Sequence, residues 1–194
     1  MNLKLFDELW NLPPEQYLPE WKMFLEFCET YLAKHEIENP IVVELGTWGN
    51  NQKKFYEQLL GAEHVGIDIA RRHRADIHGN AHDPRTLEAL KKRLDGKPIN
   101  ILFIDAAHNH ESVKKDFEIY NPLCDGIVAF HDIYYGRHDL KINKEKEVWK
   151  FWEDLKLRAY EGMAEYRDFL FTSIYQYRST KDGIQMGIGV IIKK

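Results

Sequence analysis

Two stretches of this sequence drive apolar runs straight into side chains that can titrate. In "ILFIDAAHNH", residues 101–110, the run ends in Asp105, and His108 and His110 follow closely. In "GIVAFHDI", residues 126–133, it ends in His131 and Asp132. An isolated carboxylate is costly to bury, so acids at the ends of greasy segments imply a rim where they meet water, a ligand or one another. Carboxylates and imidazoles gathered there can orient a base, take a proton near neutral pH or ligate a divalent cation. The plainer alternative, caps and loop residues, competes at each position singly.

Side chains so placed need strands beneath them. "PIVVELG", a short β-branched run ending at Gly46, suits a buried parallel strand, and "HVGIDIA", "INILFID" and "GIVAFHD" follow the same pattern. Helical periodicity separates them. Trp21, Phe24, Leu25, Cys28, Tyr31 and Leu32 stripe a helix over 19–36, and another spans about 51–60. "DPRTLEALKKRL" opens with Asp83 as N-cap and Pro84 in the first turn. Val113, Phe117 and Tyr120 share one helix face; Val148, Trp152 and Leu155 share another, on a helix beginning near Asn143. Two strand-like runs, "FLFTSIYQY" and "IQMGIGVII", close the chain around a hairpin-like "RSTKDG". Strands alternating with helices predict an α/β, doubly wound, mainly parallel, Rossmann-like sheet with a C-terminal antiparallel hairpin. Ligands bind such sheets at the carboxyl ends of the strands.

The bulk composition narrows the class. At 194 residues the chain supports one good core, so we read 1–194 as one domain with 1–38 as an N-terminal helical cap. Hydrophobic residues make up 44% and charged residues 30%, as in soluble globular proteins, and no apolar run suffices to span a bilayer. "MNLKLFDELW" lacks the pattern of a secretory signal, which points to the cytoplasm. A net charge of -4 argues against general nucleic-acid binding and leaves "ARRHRAD" at 70–76 as a solvated loop. Cys28 and Cys124 read as buried free thiols.

The first strands carry information about a cofactor. Glu44 precedes Gly46 and Gly49, and Asp68 and Asp105 end later strands on the same edge. A rim of carboxylates would repel a dinucleotide's pyrophosphate and welcome a cation. S-adenosylmethionine fits, with a sulfonium, an ammonium and a ribose diol that a carboxylate such as Asp68 can hold. Glu44 has a second reading, as a structural acid bonded to backbone amides. Trp48 reads equally as a cover over the cofactor or as packing.

These segments also carry a family resemblance. "VVELGT", "GIDI", "GNAHDPRTLEAL", "ILFIDAAHNHESVKKDFEIYNPL", "GIVAFHDI", "VWKFW" and "MGIGVII" stand in the order seen in class I S-adenosylmethionine-dependent methyltransferases. Within these the chain resembles the branch of the cephalosporin hydroxylases and macrocin-type sugar O-methyltransferases, over about residues 40–192. The resemblance implies that Glu44, Gly46, Thr47, Trp48 and Gly49 cradle the methionine part of the cofactor. It implies Asp68 on the ribose and Asn80, Ala81 and His82 beside the adenine. Asp105, His131 and Asp132 would hold a divalent cation, magnesium or a softer metal, with Asp105 reaching both cofactor and reaction. His108 would be the general base.

The chain departs from the family where "IDGDH" becomes "IDAAH", placing Ala107 where an acid is usual. His131 stands where many metal-binding relatives have an acid, and Asn50 and Asn51 replace a glycine pair. The implied activity is O-methylation of a small hydroxylated acceptor such as a sugar, with or without metal assistance. A catalytically inactive cofactor-binding protein and a metal-dependent hydrolase stay open as alternatives. The acceptor pocket is expected from the N-terminal segment and the loop at 134–143. The aromatics of "MNLKLFDELWNL" suggest a homodimer contact or an acceptor lid, and nothing in the spacing of His73, His110 or His138 brings them to the rim.

Overall fold

In a computed structural model, residues 1–135, 137, 146–176 and 186–193 are described. The elements run α1 (Leu3–Leu9), α2 (Leu18–Lys34), β1 (Ile41–Leu45), α3 (Lys53–Leu60), β2 (Glu63–Asp68), β3 (Ile77–His78), α4 (Pro84–Leu94), β4 (Ile99–Ile104), α5 (His110–Tyr120), β5 (Cys124–His131), α6 (Val148–Tyr160), β6 (Phe169–Ile174) and β7 (Ile188–Lys193). The strands form one seven-stranded sheet in the order β3-β2-β1-β4-β5-β7-β6. The first five are parallel, and β7 lies antiparallel between β5 and β6. The Rossmann-like sheet with its antiparallel C-terminal pair is therefore as the sequence predicts.

Every residue of β1 is buried because both faces of the sheet are covered. Side-chain alternation divides the core in two. Leu45, Leu102, Ile104, Val128 and Phe130 pack under Leu90 of α4, Phe117 of α5 and Trp152 of α6. Val42, Ile101, Phe103 and Ile127 face α1, α2 and α3. On that side Trp21 sits edge-on to Phe55, Tyr56 and Phe103, with ring centroids 5.5–6.1 Å apart. Removing an indole so enclosed costs about 3–5 kcal/mol.

Several local expectations hold. Asp83 caps α4, its side chain accepting from the Arg85 amide, with Pro84 behind it. Both cysteines are free and buried. Other expectations need correction. The N-terminal aromatics are less exposed than the sequence suggests: Phe6 is fully buried, and Phe6 and Trp10 pack against each other and Phe55. Tyr160, the last residue of α6, packs into neither core and is 90% exposed. The start near Asn143, the turn "RSTKDG", His138 and most of the loop at 134–143 lie outside the described residues. Among the described residues no helix is long and apolar enough to cross a membrane.

Candidate active site

Register decides what meets at the carboxyl edge. Leu45 aligns with Ile67 on one side and Ile104 on the other, and Ile104 aligns with Phe130. The next residues, Gly46, Asp68, Asp105 and His131, thus leave the sheet side by side. A cavity of about 640 Å³ opens there, within the range of small-molecule sites. Gly46, Trp48, Asp68, Asn80, Ala81, His82, Asp105, His108, His131 and Asp132 line it, so most of the residues singled out from sequence share one chamber.

Gly46 makes the chamber possible. Its φ is +83°, and a Cβ there would stand 2.2 Å from the Asp105 carbonyl oxygen. Only glycine permits that approach of two strand ends. The loop beyond is strained too, with Trp48 at φ +45° and Asn50 at φ +57°. Trp48 is 55% exposed at the rim of the cavity, so it is not the buried packing residue of the second reading.

Asp68 anchors this loop. Its Oδ2 accepts from the amides of Thr47 (3.0 Å) and Trp48 (3.2 Å), and its Oδ1 from the Ala70 amide (2.7 Å). His73 Nδ1 lies 2.9 Å from Oδ2, while its ring packs on Trp48 at 4.8 Å. Burial alone would raise the Asp68 pKa; the Ala70 amide, His73 and the Thr47 amide overcome it and hold the carboxyl below its usual value. His73 is thus a member of the site that sequence reasoning left out. A histidine five residues past a strand-end acid was the available signal.

Other residues fall away from the cavity wall. Glu44 is fully buried beneath it, its Oε2 2.8 Å from His64 Nε2, and burial raises its pKa against the opposing pull of His64. Its partner is an imidazole rather than the backbone amides of the structural reading, and its Oε1 is buried without a hydrogen-bond partner. Thr47 is also fully buried, and neither Thr47 nor Gly49 lines the cavity.

The acidic end carries four groups in alternation. His108 Nδ1 is 3.1 Å from Asp132 Oδ2, His131 Nδ1 is 3.1 Å from Asp105 Oδ1, and the same nitrogen is 3.5 Å from Asp132 Oδ1. Burial would lower the His131 pKa, yet the Asp105 and Asp132 carboxylates raise it to about 9. For Asp132, burial acts upward, and His131 and then His108 hold the carboxyl below its usual range. Asp132 sits at φ +65°, backbone strain of the kind that collects at functional sites. From the N-terminal segment, Gln16 donates to Asp105 Oδ2 at 2.9 Å, a contact the sequence did not announce.

A divalent cation fits here as well. One ligand atom each from Asp105, His131 and Asp132 lie within 4.8 Å of one another. His131 Nε2 and Asp132 Oδ1 are buried without hydrogen-bond partners. A mixed imidazole and carboxylate set suits a borderline transition metal better than magnesium, which prefers oxygen throughout.

At the opposite end, the loop after β3 meets α5. His82 Nε2 is 3.0 Å from Asp116 Oδ1, and Tyr120 donates to the Ala81 carbonyl at 2.8 Å.

The comparisons with known proteins agree with this fold. The MycE methyltransferase of the mycinamycin pathway, solved with Mg and SAH, shares the fold at a TM-score of 0.59 and 15% identity. The match covers 87% of this chain and 49% of that one, so the chain spans about half the length of MycE. An O-methyltransferase from Bacillus cereus in complex with SAH gives a TM-score of 0.54 at 18% identity, covering 94% and 85% of the two chains. The O-methyltransferase TomG from Streptomyces achromogenes, solved with SAM, gives 0.54 at 16%, covering 98% and 96%. No curated protein matches the sequence. A family described as "Methyltransferase domain" matches residues 32–133, more than half the chain and all of β1 through β5. By that match, and with the strand-end site it encloses, the chain belongs to the methyltransferase-domain family.

Proposed function

We propose that the chain is an S-adenosylmethionine-dependent O-methyltransferase acting on a small hydroxylated acceptor such as a sugar. The observation that carries this reading is the His108–Asp132 pair in the same cavity as Asp68 and the Gly46 loop that Asp68 anchors. The known structures with SAM or SAH bound to this fold support it. A single domain, capped by residues 1–38, is part of the proposal.

When bound, S-adenosylmethionine supplies a methyl group made electrophilic by its sulfonium. The chain's tasks are then alignment and removal of the acceptor's proton. His108 Nδ1 lies at ion-pair distance from Asp132 Oδ2, 3.1 Å, which turns that nitrogen toward the carboxylate and leaves Nε2 to take the proton. The imidazolium so formed is stabilised by the same carboxylate. Asp105 is oriented by His131 and Gln16, and it marks the boundary between cofactor and acceptor. The rim carboxylates favour a cationic ligand over a pyrophosphate. If a cation is held, Asp105, His131 and Asp132 hold it, and it would lower the pKa of an acceptor hydroxyl.

Calorimetric titration with S-adenosylmethionine, followed by methyl transfer to a panel of hydroxylated acceptors, tests the proposal. Binding and turnover are expected. An absence of binding would remove the reading; binding without turnover across the panel would favour a cofactor-binding protein. Turnover that survives a chelator would leave the His108–Asp132 pair to act without a metal.

A further inference from the structure

One buried acid outside the cavity bears on the site within it. Glu20, on α2, is 1% exposed. Its Oε1 accepts from the Gln176 amide just beyond β6, and its Oε2 from the Gly187 amide just before β7, each at 3.0 Å. A carboxylate so buried needs such donors, and hydrogen bonds to an ionised acceptor are the stronger kind. Glu20 thus clamps both ends of the antiparallel pair onto α2, next to Met186 in the cavity wall.

The Gly187 end of the clamp faces Asp132. The ladder between β5 and β7 closes with His131 opposite Ile188. Beyond it, Ile133 donates to the Gly187 carbonyl at 3.3 Å and Tyr134 to the Met186 carbonyl at 2.8 Å. The pairing has shifted by one residue, so Asp132 is the extra residue of a β-bulge, and its φ of +65° belongs to the same feature. Bulges bend a strand and re-aim a side chain; this one leaves the Asp132 carboxylate 3.1 Å from His108. Left-handed backbone at a residue other than glycine persists only where its surroundings over-determine it. The opposing segment is built for that. Gly187 has φ +82°, a Cβ there would lie 2.6 Å from the Tyr134 ring, and that ring packs on Tyr175 with centroids 4.2 Å apart.

We infer that Glu20 is a positioning residue for Asp132: by fixing Gly187 it holds the segment against which the bulge is built. The inference rests on the reading above of Asp132 as the partner of the base His108. Without the Glu20 carboxylate, the Gly187 amide loses its acceptor, the bulge loosens and Asp132 turns from His108. The cofactor end, at Gly46 and Asp68, follows β1 and β2 and keeps its geometry.

The test follows the amides of Ile133 and Tyr134 in the full chain by NMR-detected hydrogen exchange, beside calorimetric titration with S-adenosylhomocysteine and methyl-transfer rates with the best acceptor of the hydroxylated panel. In Glu20→Ala, exchange at both amides is expected to quicken roughly tenfold or more, and kcat to fall by roughly as much. The Kd of S-adenosylhomocysteine and the KM of the acceptor should stay within about twofold of wild type. Added to Asp132→Asn, the substitution should cost no further kcat, because a residue that acts through Asp132 then has nothing left to position. Where melting curves show Glu20→Ala unfolded, Glu20→Gln, which keeps one acceptor oxygen, carries the same readings. Unaltered exchange at Ile133 and Tyr134 in the folded variant overturns the inference, as do losses of kcat that add in the double variant. If the wild-type chain transfers no methyl group, the O-methyltransferase reading falls by itself, and exchange at the two amides still decides whether Glu20 holds the bulge.

Discussion

His108 and Asp132 form a pair whose separate contributions can be measured. His108→Ala is expected to lower kcat by about a hundredfold, the scale of general-base catalysis, with cofactor affinity unchanged. Asp132→Asn should do the same by freeing the imidazole to take the wrong tautomer, and single-turnover rates at saturating cofactor check both. Rates near wild type in His108→Ala would remove it as base. Asp68 behaves differently. A role on the ribose alone would confine the effect of Asp68→Ala to the cofactor, but its carboxylate holds the amides of Thr47, Trp48 and Ala70 as well as His73. Removing it strands a buried donor, so Asp68→Ala should lose about 1–3 kcal/mol of stability together with affinity. A weaker binder with an unaltered denaturation midpoint would contradict this.

Elements bring these residues together, and Asp76 shows how. It accepts from the Gly66 amide of β2 at 2.9 Å, pairs with Lys53 of α3 at 2.8 Å and reaches Arg93 of α4 at 3.4 Å. Burial acts to raise its pKa, but the Gly66 amide, Lys53 and Arg93 outweigh that and hold it below the usual value. A depressed folded pKa contributes stability that is present above the unfolded value, about 3.9, and lost as pH falls through the folded one. Asp76→Asn should therefore cost about 1.5–3 kcal/mol at pH 7, with the gap to wild type closing below about pH 4. Urea midpoints at the two pH values measure it, and a gap independent of pH would refute the role. The strands themselves were legible because each apolar run stops abruptly at a polar strand end, after Ile104 and after Phe130, where a buried segment reaches the sheet's edge. Two-residue β3 offers no period to read, and α1 only a short one. The Gln16–Asp105 and His82–Asp116 contacts join residues 89 and 34 positions apart, set by packing that no local pattern encodes.

At the scale of the molecule, the two cores are joined by a single sheet, and the cavity gathers the carboxyl ends of five of its strands, β1 to β5. A ligand seated there touches the ends of β1, β2, β4 and β5 at once, so binding should stabilise the whole domain. The membership of residues 32–133 in the methyltransferase-domain family fits this, since that span holds all four strand ends. Linkage sets the magnitude: a ligand at a hundred times its Kd adds about 2.7 kcal/mol to the unfolding free energy. For a domain of this size each kcal/mol moves Tm by roughly 2–4 °C, so S-adenosylhomocysteine should raise Tm by roughly 5–10 °C. His108→Ala should keep the full shift, because a base on the acceptor side contributes little to the cofactor. Gly46→Ala should abolish it, because its Cβ would collide with the Asp105 carbonyl and distort the loop between them. A shift that persists in Gly46→Ala but vanishes in His108→Ala would place the ligand on the acceptor side of Asp105 and reverse the assignment of the two ends of the cavity.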